Sequence, residues 1–151
     1  MDTLTYLIEK DRLIDHITEL FVATDARDWP RVRACFTETV HFDQTSLVGG
    51  NPAEVSPVDI TNGWDEGLKP LQAVHHQIGN LQVELESDQA TVRCYGIAYH
   101  YLPNRTGKDT RVFVGSYEFK LAKKPDSWKI SSFIYKVKFI DGNKELEKSR
   151  D

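Results

Sequence analysis

A chain of 151 residues, with 19 Lys and Arg against 23 Asp and Glu, has the size of one domain that buries a core unaided. Its net charge of −4 gives nucleic acid or an anionic membrane no electrostatic hold, and no apolar run reaches the roughly 20 residues that span a bilayer. Cys35 and Cys94 are too few for a disulfide framework or a thiolate zinc site, and the charge-interrupted start MDTLTYLIEKDR does not read as a secretory signal, so a cytoplasmic setting is expected.

Residues 4–24 are predicted to be helical. Leu4, Leu7, Ile8, Ile14, Ile17, Leu20, Phe21 and Thr24 recur at three- and four-residue steps, opposite Glu9, Lys10, Arg12, Asp15 and Glu19. Asp25-Ala26-Arg27-Asp28 breaks this helix. Asp28 suits the N-cap of a second, short helix with Trp29-Pro30 in its first turn, carrying Val32, Cys35 and Phe36 inward to about Phe36. Val40–Asp43 has the pattern of a short strand, and a loop with Gly49, Gly50 and Pro52 follows. Ser56-Pro57-Val58-Asp59 combines a capping box with proline at the first helical position, so a third helix is expected from there to about Leu68. Beyond Pro70, residues 73–85, 89–102, 111–123 and 127–140 are β-rich runs separated by turn material. Four consecutive strands on short connections imply an antiparallel meander, and helices followed by strands imply an α+β fold class. One domain is expected over residues 1–143, with a charged tail at 144–151 that frays.

The strand at 89–102 carries Ala90, Val92, Cys94, Gly96, Ala98 and His100 on one parity and Thr91, Arg93, Tyr95, Ile97, Tyr99 and Tyr101 on the other. Neither set is simply polar. Both faces are therefore expected to be covered, one by helices and the other by a partner subunit in a homodimer.

No nucleotide fingerprint is present: Gly49-Gly50 lacks the lysine and following helix of a phosphate loop. His75 and His76 are adjacent, so on a strand they face opposite sides and cannot share a metal ion. No cofactor and no metal are expected. Asp25 follows Phe21 by one helical turn, at the end of the helix dipole that disfavours an anion, and a buried cation would be needed to hold it ionised. His76 shares parity with Val74 and Ile78 and is predicted to face inward. Taken separately, Asp25 reads as a helix-end residue and His76 as a core histidine. A carboxylate on the second ring nitrogen would make His76 a base.

Several pieces in order resemble one family. They are Asp25-x-x-Asp28-Trp29, Cys35-Phe36-Thr37, Val40-His41-Phe42-Asp43, His76-Gln77-Ile78-Gly79-Asn80, Ala90-Thr91-Val92-Arg93-Cys94-Tyr95, Ala98-Tyr99-His100-Tyr101, Gly115-x-Tyr117 and Trp128-Lys129-Ile130. Together they are similar to the SnoaL-like group of the nuclear transport factor 2-like superfamily, relatives of scytalone dehydratase, lindane dehydrochlorinase and ketosteroid isomerase. The resemblance implies a cone-shaped α+β barrel, with N-terminal helices packed on a strongly curved antiparallel sheet around a deep apolar pocket. It also implies that His76 is the catalytic base and that Asp25 orients it, in a cofactor-independent lyase or isomerase of dehydratase type. The ligand would be a small apolar or carbonyl-bearing molecule. Asp43, Trp64, Tyr95, His100, Tyr117 and Tyr135 are the expected substrate-binding residues. A non-catalytic ligand-binding or dimerisation module of the same fold, or a polyketide cyclase-like enzyme, are the alternatives. The sequence departs from the dehydrochlorinase where that enzyme has a basic leaving-group residue on the last strand, since Phe133 stands there.

Overall fold

The computed structural model describes residues 1–149. Asp2 opens α1 (Thr3–Asp25) by accepting the Thr5 amide at 2.8 Å, so one of the unpaired donors of the first turn is satisfied. Along α1 the buried stripe is Glu9, Leu13, Ile17, Leu20, Phe21 and Thr24, while Leu4, Leu7 and Ile8 are exposed. The expected stripe is thus corrected at its start. At about 100° per residue, Leu4 and Ile8 point away from the side that carries Leu13, Ile17 and Leu20. Glu9, expected on the solvated side, lies under the sheet and accepts the Trp128 indole N–H at 2.8 Å.

Asp28 caps α2 (Trp29–Ala34) by accepting the Arg31 amide, and Phe36 then begins β1 (Phe36–Asp43) instead of ending a helix. The segment expected as an open loop contains a short helix, α3 (Thr45–Val48), and a three-residue strand, β2 (Ala53–Val55). The capping box forms as expected: the Ser56 hydroxyl accepts the Asp59 amide, the Asp59 carboxylate accepts the Ser56 amide, and α4 runs Pro57–Leu68. The meander is β3 (Ala73–Glu86), β4 (Gln89–Tyr101), β5 (Thr110–Lys123) and β6 (Trp128–Gly142).

These strands form one open sheet in the order β2-β1-β6-β5-β4-β3. The α+β arrangement of helices on a curved sheet is as expected, with one difference. β1 runs parallel to β6, pairing His41 with Ser132 and Phe42 with Phe133, so the sheet is mixed. Register shifts at Gly79–Gln82 in β3 and at Val114–Gly115 and Lys120–Leu121 along β5 and β6 bend the strands. The main core lies between α1 and the concave sheet face, where Leu13, Ile17, Leu20, Phe119, Phe133 and Ile130 are fully or almost fully buried.

The tail corrects a second expectation. Residues Leu146–Ser149 form a 3-10 turn, and Leu146 is fully buried in a smaller cluster with Leu68, Leu71, Val74 and Leu102. Arg150 and Asp151 lie outside the described residues.

Candidate active site

The concave side of the sheet encloses a cavity of about 350 Å³, at the small end of the range for small-molecule sites. Phe21, Leu47, Trp64, Phe113 and Phe133 supply an apolar wall, and His76, His100, Arg111, Tyr117, Tyr135 and Glu147 supply the polar groups.

Asp25 and His76 meet because α1 ends beside the start of β3. One carboxylate oxygen of Asp25 lies 2.6 Å from His76 Nδ1, and the other accepts the His76 backbone N–H at 2.9 Å. The carboxylate therefore grips the residue at two points. These bonds are the compensation that an anion at a helix C-terminus requires. With Asp25 ionised, Nδ1 carries the proton and Nε2 keeps its lone pair. Nε2 has no hydrogen-bond partner among the described residues, and the ring lines the cavity. The two side chains are only 14% and 21% exposed, and Phe21 packs its ring 5.2 Å from the imidazole.

On β4, His100 is paired across the ladder with Arg111 of β5, whose Nη2 lies 3.0 Å from His100 Nδ1. Arg111 Nη1 donates to Glu147 at 2.7 Å, and Nη2 bonds the other oxygen of the same carboxylate. Burial pushes the His100 imidazole down to about 4, with Arg111 and His76 acting in the same direction. Arg111 holds the Glu147 carboxyl below its ordinary value.

Tyr117 and Tyr135 line the cavity with their ring centroids 4.8 Å apart and the rings tilted at 47°, and burial raises both phenols so that each remains an O–H at neutral pH. Two glycines make room for them. A β-carbon on Gly96 would stand 2.3 Å from the Tyr117 ring, and one on Gly115 would stand 2.6 Å from the Tyr135 hydroxyl oxygen. Trp64 comes from α4 and packs 5.5 Å from Phe133.

Two expected binding residues are not at the cavity. Asp43 ends β1 with its carboxylate turned to the chain, accepting the Thr45 hydroxyl at 2.7 Å and the Thr45 amide at 2.9 Å, and these bonds hold its carboxyl below the usual carboxylate range. Tyr95 is 51% exposed on the other side of β4, with the Lys138 ammonium 3.7 Å from its ring centroid. Strand alternation separates Tyr95 from His100, so the signal against Tyr95 was present in the sequence. Sequence reasoning also missed Arg111 and Glu147. Arg111 shares parity with Phe113, Tyr117 and Phe119, and a cation on an apolar strand face is such a signal. Glu147 carries none, because its charged surroundings resemble a solvated tail. Among the described residues, no group of three or more His, Cys, Asp or Glu side chains could hold a metal ion. No described helix is long and apolar enough to cross a membrane.

Comparison with known proteins agrees with this architecture. The Kfla4162 protein of Kribbella flavida is similar over 95% of this chain and 99% of its own, with a TM-score of 0.88 at 23% identity. A provisionally named scytalone dehydratase from Novosphingobium aromaticivorans DSM 12444 superposes with a TM-score of 0.81 at 17% identity, over 94% of this chain and 92% of its own. A hexachlorocyclohexane dehydrochlorinase, LinA type 2, gives 0.75 at 16% identity, over 94% and 93%. At these identities the likeness concerns the fold. No curated protein matches the chain. The sequence profile described as a SnoaL-like domain matches residues 6–134, and the chain therefore belongs to the SnoaL-like domain family.

Proposed function

We propose that the protein is a cofactor-independent lyase or isomerase in which His76 removes a proton from a small carbonyl-bearing substrate. The observation that carries this reading is the two-point grip of Asp25 on His76, at 2.6 and 2.9 Å, beside an apolar cavity. Nε2 takes the proton, the imidazole becomes cationic, and the Asp25 carboxylate offsets that charge in a setting where few waters can do so. The C–H electron pair passes into an enolate. Return of the proton to another carbon completes an isomerisation. Its delivery to a β-hydroxyl, with loss of water, completes an elimination.

Similarity in fold to a dehydrochlorinase and to a provisionally named dehydratase supports this class of chemistry. Phe133, 1% exposed in the cavity wall, supports a neutral oxygen leaving group over a halide, since no cation stands at that place. The test is turnover of a panel of cyclic β-hydroxy ketones by the wild type and by His76→Ala. A rate lost by roughly 10²–10⁴-fold in the variant is expected. Equal rates would retire the mechanism.

A homodimer through the convex sheet face is part of the same reading. Tyr95, Ile97, Tyr99 and Tyr101 lie in one exposed row along β4, an apolar strip of the kind that marks an interface. A cytoplasmic setting accords with Cys35 and Cys94 standing free and buried. Sedimentation should give twice the chain mass, falling to the chain mass in Ile97→Glu/Tyr99→Glu. A monomeric wild type at tens of micromolar would refute the dimer.

A further inference from the structure

Arg111 lies opposite His100 in the β4–β5 ladder, and its guanidinium is bound on two sides. Nη2 contacts His100 Nδ1 at 3.0 Å, and both Nη atoms bond the Glu147 carboxylate. Nε is buried without a partner, and Cζ stands 5.3 Å from the Phe113 ring centroid. A guanidinium has donors only and does not lose its proton. At the contact with Nδ1 it must donate, so Nδ1 must present its lone pair. The one ring proton of His100 is then on Nε2. That nitrogen has no partner among the described residues and is not sealed from solvent, and the ring lines the cavity.

His76 has the reverse arrangement, with a carboxylate on Nδ1 and the lone pair on Nε2. Two histidines thus present one acceptor and one donor to the same cavity. Their partners on Nδ1, an anion for one and a cation for the other, decide which is which.

We infer that Arg111, held by Glu147 from the C-terminal turn, is a positioning residue that fixes His100 as a neutral Nε2–H donor to an oxygen of the ligand. This rests on the proton-abstraction reading, which identifies the oxygen as the carbonyl that gains negative charge as His76 takes the proton. The C–H bond breaks, its electron pair enters the enolate, and the His100 N–H bonds to the enolate oxygen without giving up its proton. An aligned donor at that position strengthens as charge develops. The ligand class is an uncharged carbonyl compound, because Arg111 and Asp25, the charges beside the two rings, are already partnered.

The charged and titratable groups facing His100 are Arg111 from β5, His76 from β3, Asp25 from the end of α1 and Glu147 from the tail. Arg111 and His76 depress its protonation, and Glu147 and Asp25 oppose them. Opposite signs for two substitutions follow. Histidine ¹⁵N spectra across pH should show wild-type His100 in the Nε2–H form at pH 7, titrating near 4. In Arg111→Met the midpoint should rise, with burial still holding it below the ordinary value, and the tautomers should be mixed. In Glu147→Gln, where the exposed end of the pair changes and its shape is kept, the midpoint should fall. An Nδ1–H form in the wild type would overturn the proposal. So would a rise in Glu147→Gln, because simple loosening of the site moves both variants upward. The wild type and Glu147→Gln carry the test if Arg111→Met does not fold. Failure of the proton-abstraction reading would appear elsewhere, as unchanged turnover in the His76 variant.

Discussion

Asp25 shows how a single oxygen-for-nitrogen change tests the site. In Asp25→Asn the amide can turn its NH₂ towards His76 Nδ1, which forces the proton onto Nε2 and removes the lone pair from the cavity. Activity on the β-hydroxy ketone panel should fall by roughly 10²–10⁴-fold while the fold survives. A variant with near wild-type turnover would show that Asp25 only shapes the loop. Gly96 tests the floor of the cavity: Gly96→Ala must push the Tyr117 ring, since the new β-carbon would lie 2.3 Å from it. Overpacking of this kind costs about 1–3 kcal/mol, measurable by urea unfolding. At this scale the local pattern revealed the inward parity of His76, its pairing with Asp25 was implied only by the family resemblance, and the partners of His100 were not found. Asp25 is 51 residues from His76 and Glu147 is 36 from Arg111, and no local pattern reports such pairings. Asp43 misled for a related reason, because a carboxylate at a strand end serves a turn as readily as a ligand.

Among the elements, α1 is held to the sheet by a buried acid. Glu9 accepts the Trp128 indole at 2.8 Å and lies 3.3 Å from the Lys123 ammonium and 2.9 Å from Arg12. Burial alone would raise its carboxyl, but the Trp128 hydrogen bond and Lys123 outweigh this, so the folded value lies below 4.5. A lowered folded value means that this stabilisation is complete above the unfolded value and is lost as pH falls through the folded one. Glu9→Gln should therefore destabilise the protein at pH 7, and the gap to wild type should shrink near pH 3. A gap independent of pH would mean that shape and not charge matters there. The capping box of α4 and the alternation of β3 to β6 were legible because each is written within a few residues. The parallel pairing of β1 with β6 was not, since some 90 residues separate Phe42 from Phe133 and only the closed fold brings them together. Glu9 was missed because a charged residue flanked by Lys10 and Arg12 has the look of a solvated face.

Across the whole molecule, the last described residues complete the cavity that the first helix begins. Leu146 fills the small cluster below α4, and Glu147 reaches Arg111 from that anchor. Leu146→Ala should lower stability by roughly 2–5 kcal/mol, the ordinary result of emptying a sealed leucine site. Thermal unfolding of this variant within a degree of wild type would show that the turn is not anchored. The long helices and the curved sheet were legible in the sequence and the pocket between them was implied by the family resemblance, while the site's second half depends on the tail. In the proposed reaction His76, oriented by Asp25, takes a proton from carbon. Deuterium exchange at the α-carbons of cyclic ketones in D₂O, followed by proton NMR, measures that step without requiring the natural substrate. The wild type should catalyse exchange with at least one such ketone, and His76→Asn and Asp25→Asn should not exceed the buffer rate. Exchange at equal rates in all three proteins would show that His76 is not the base.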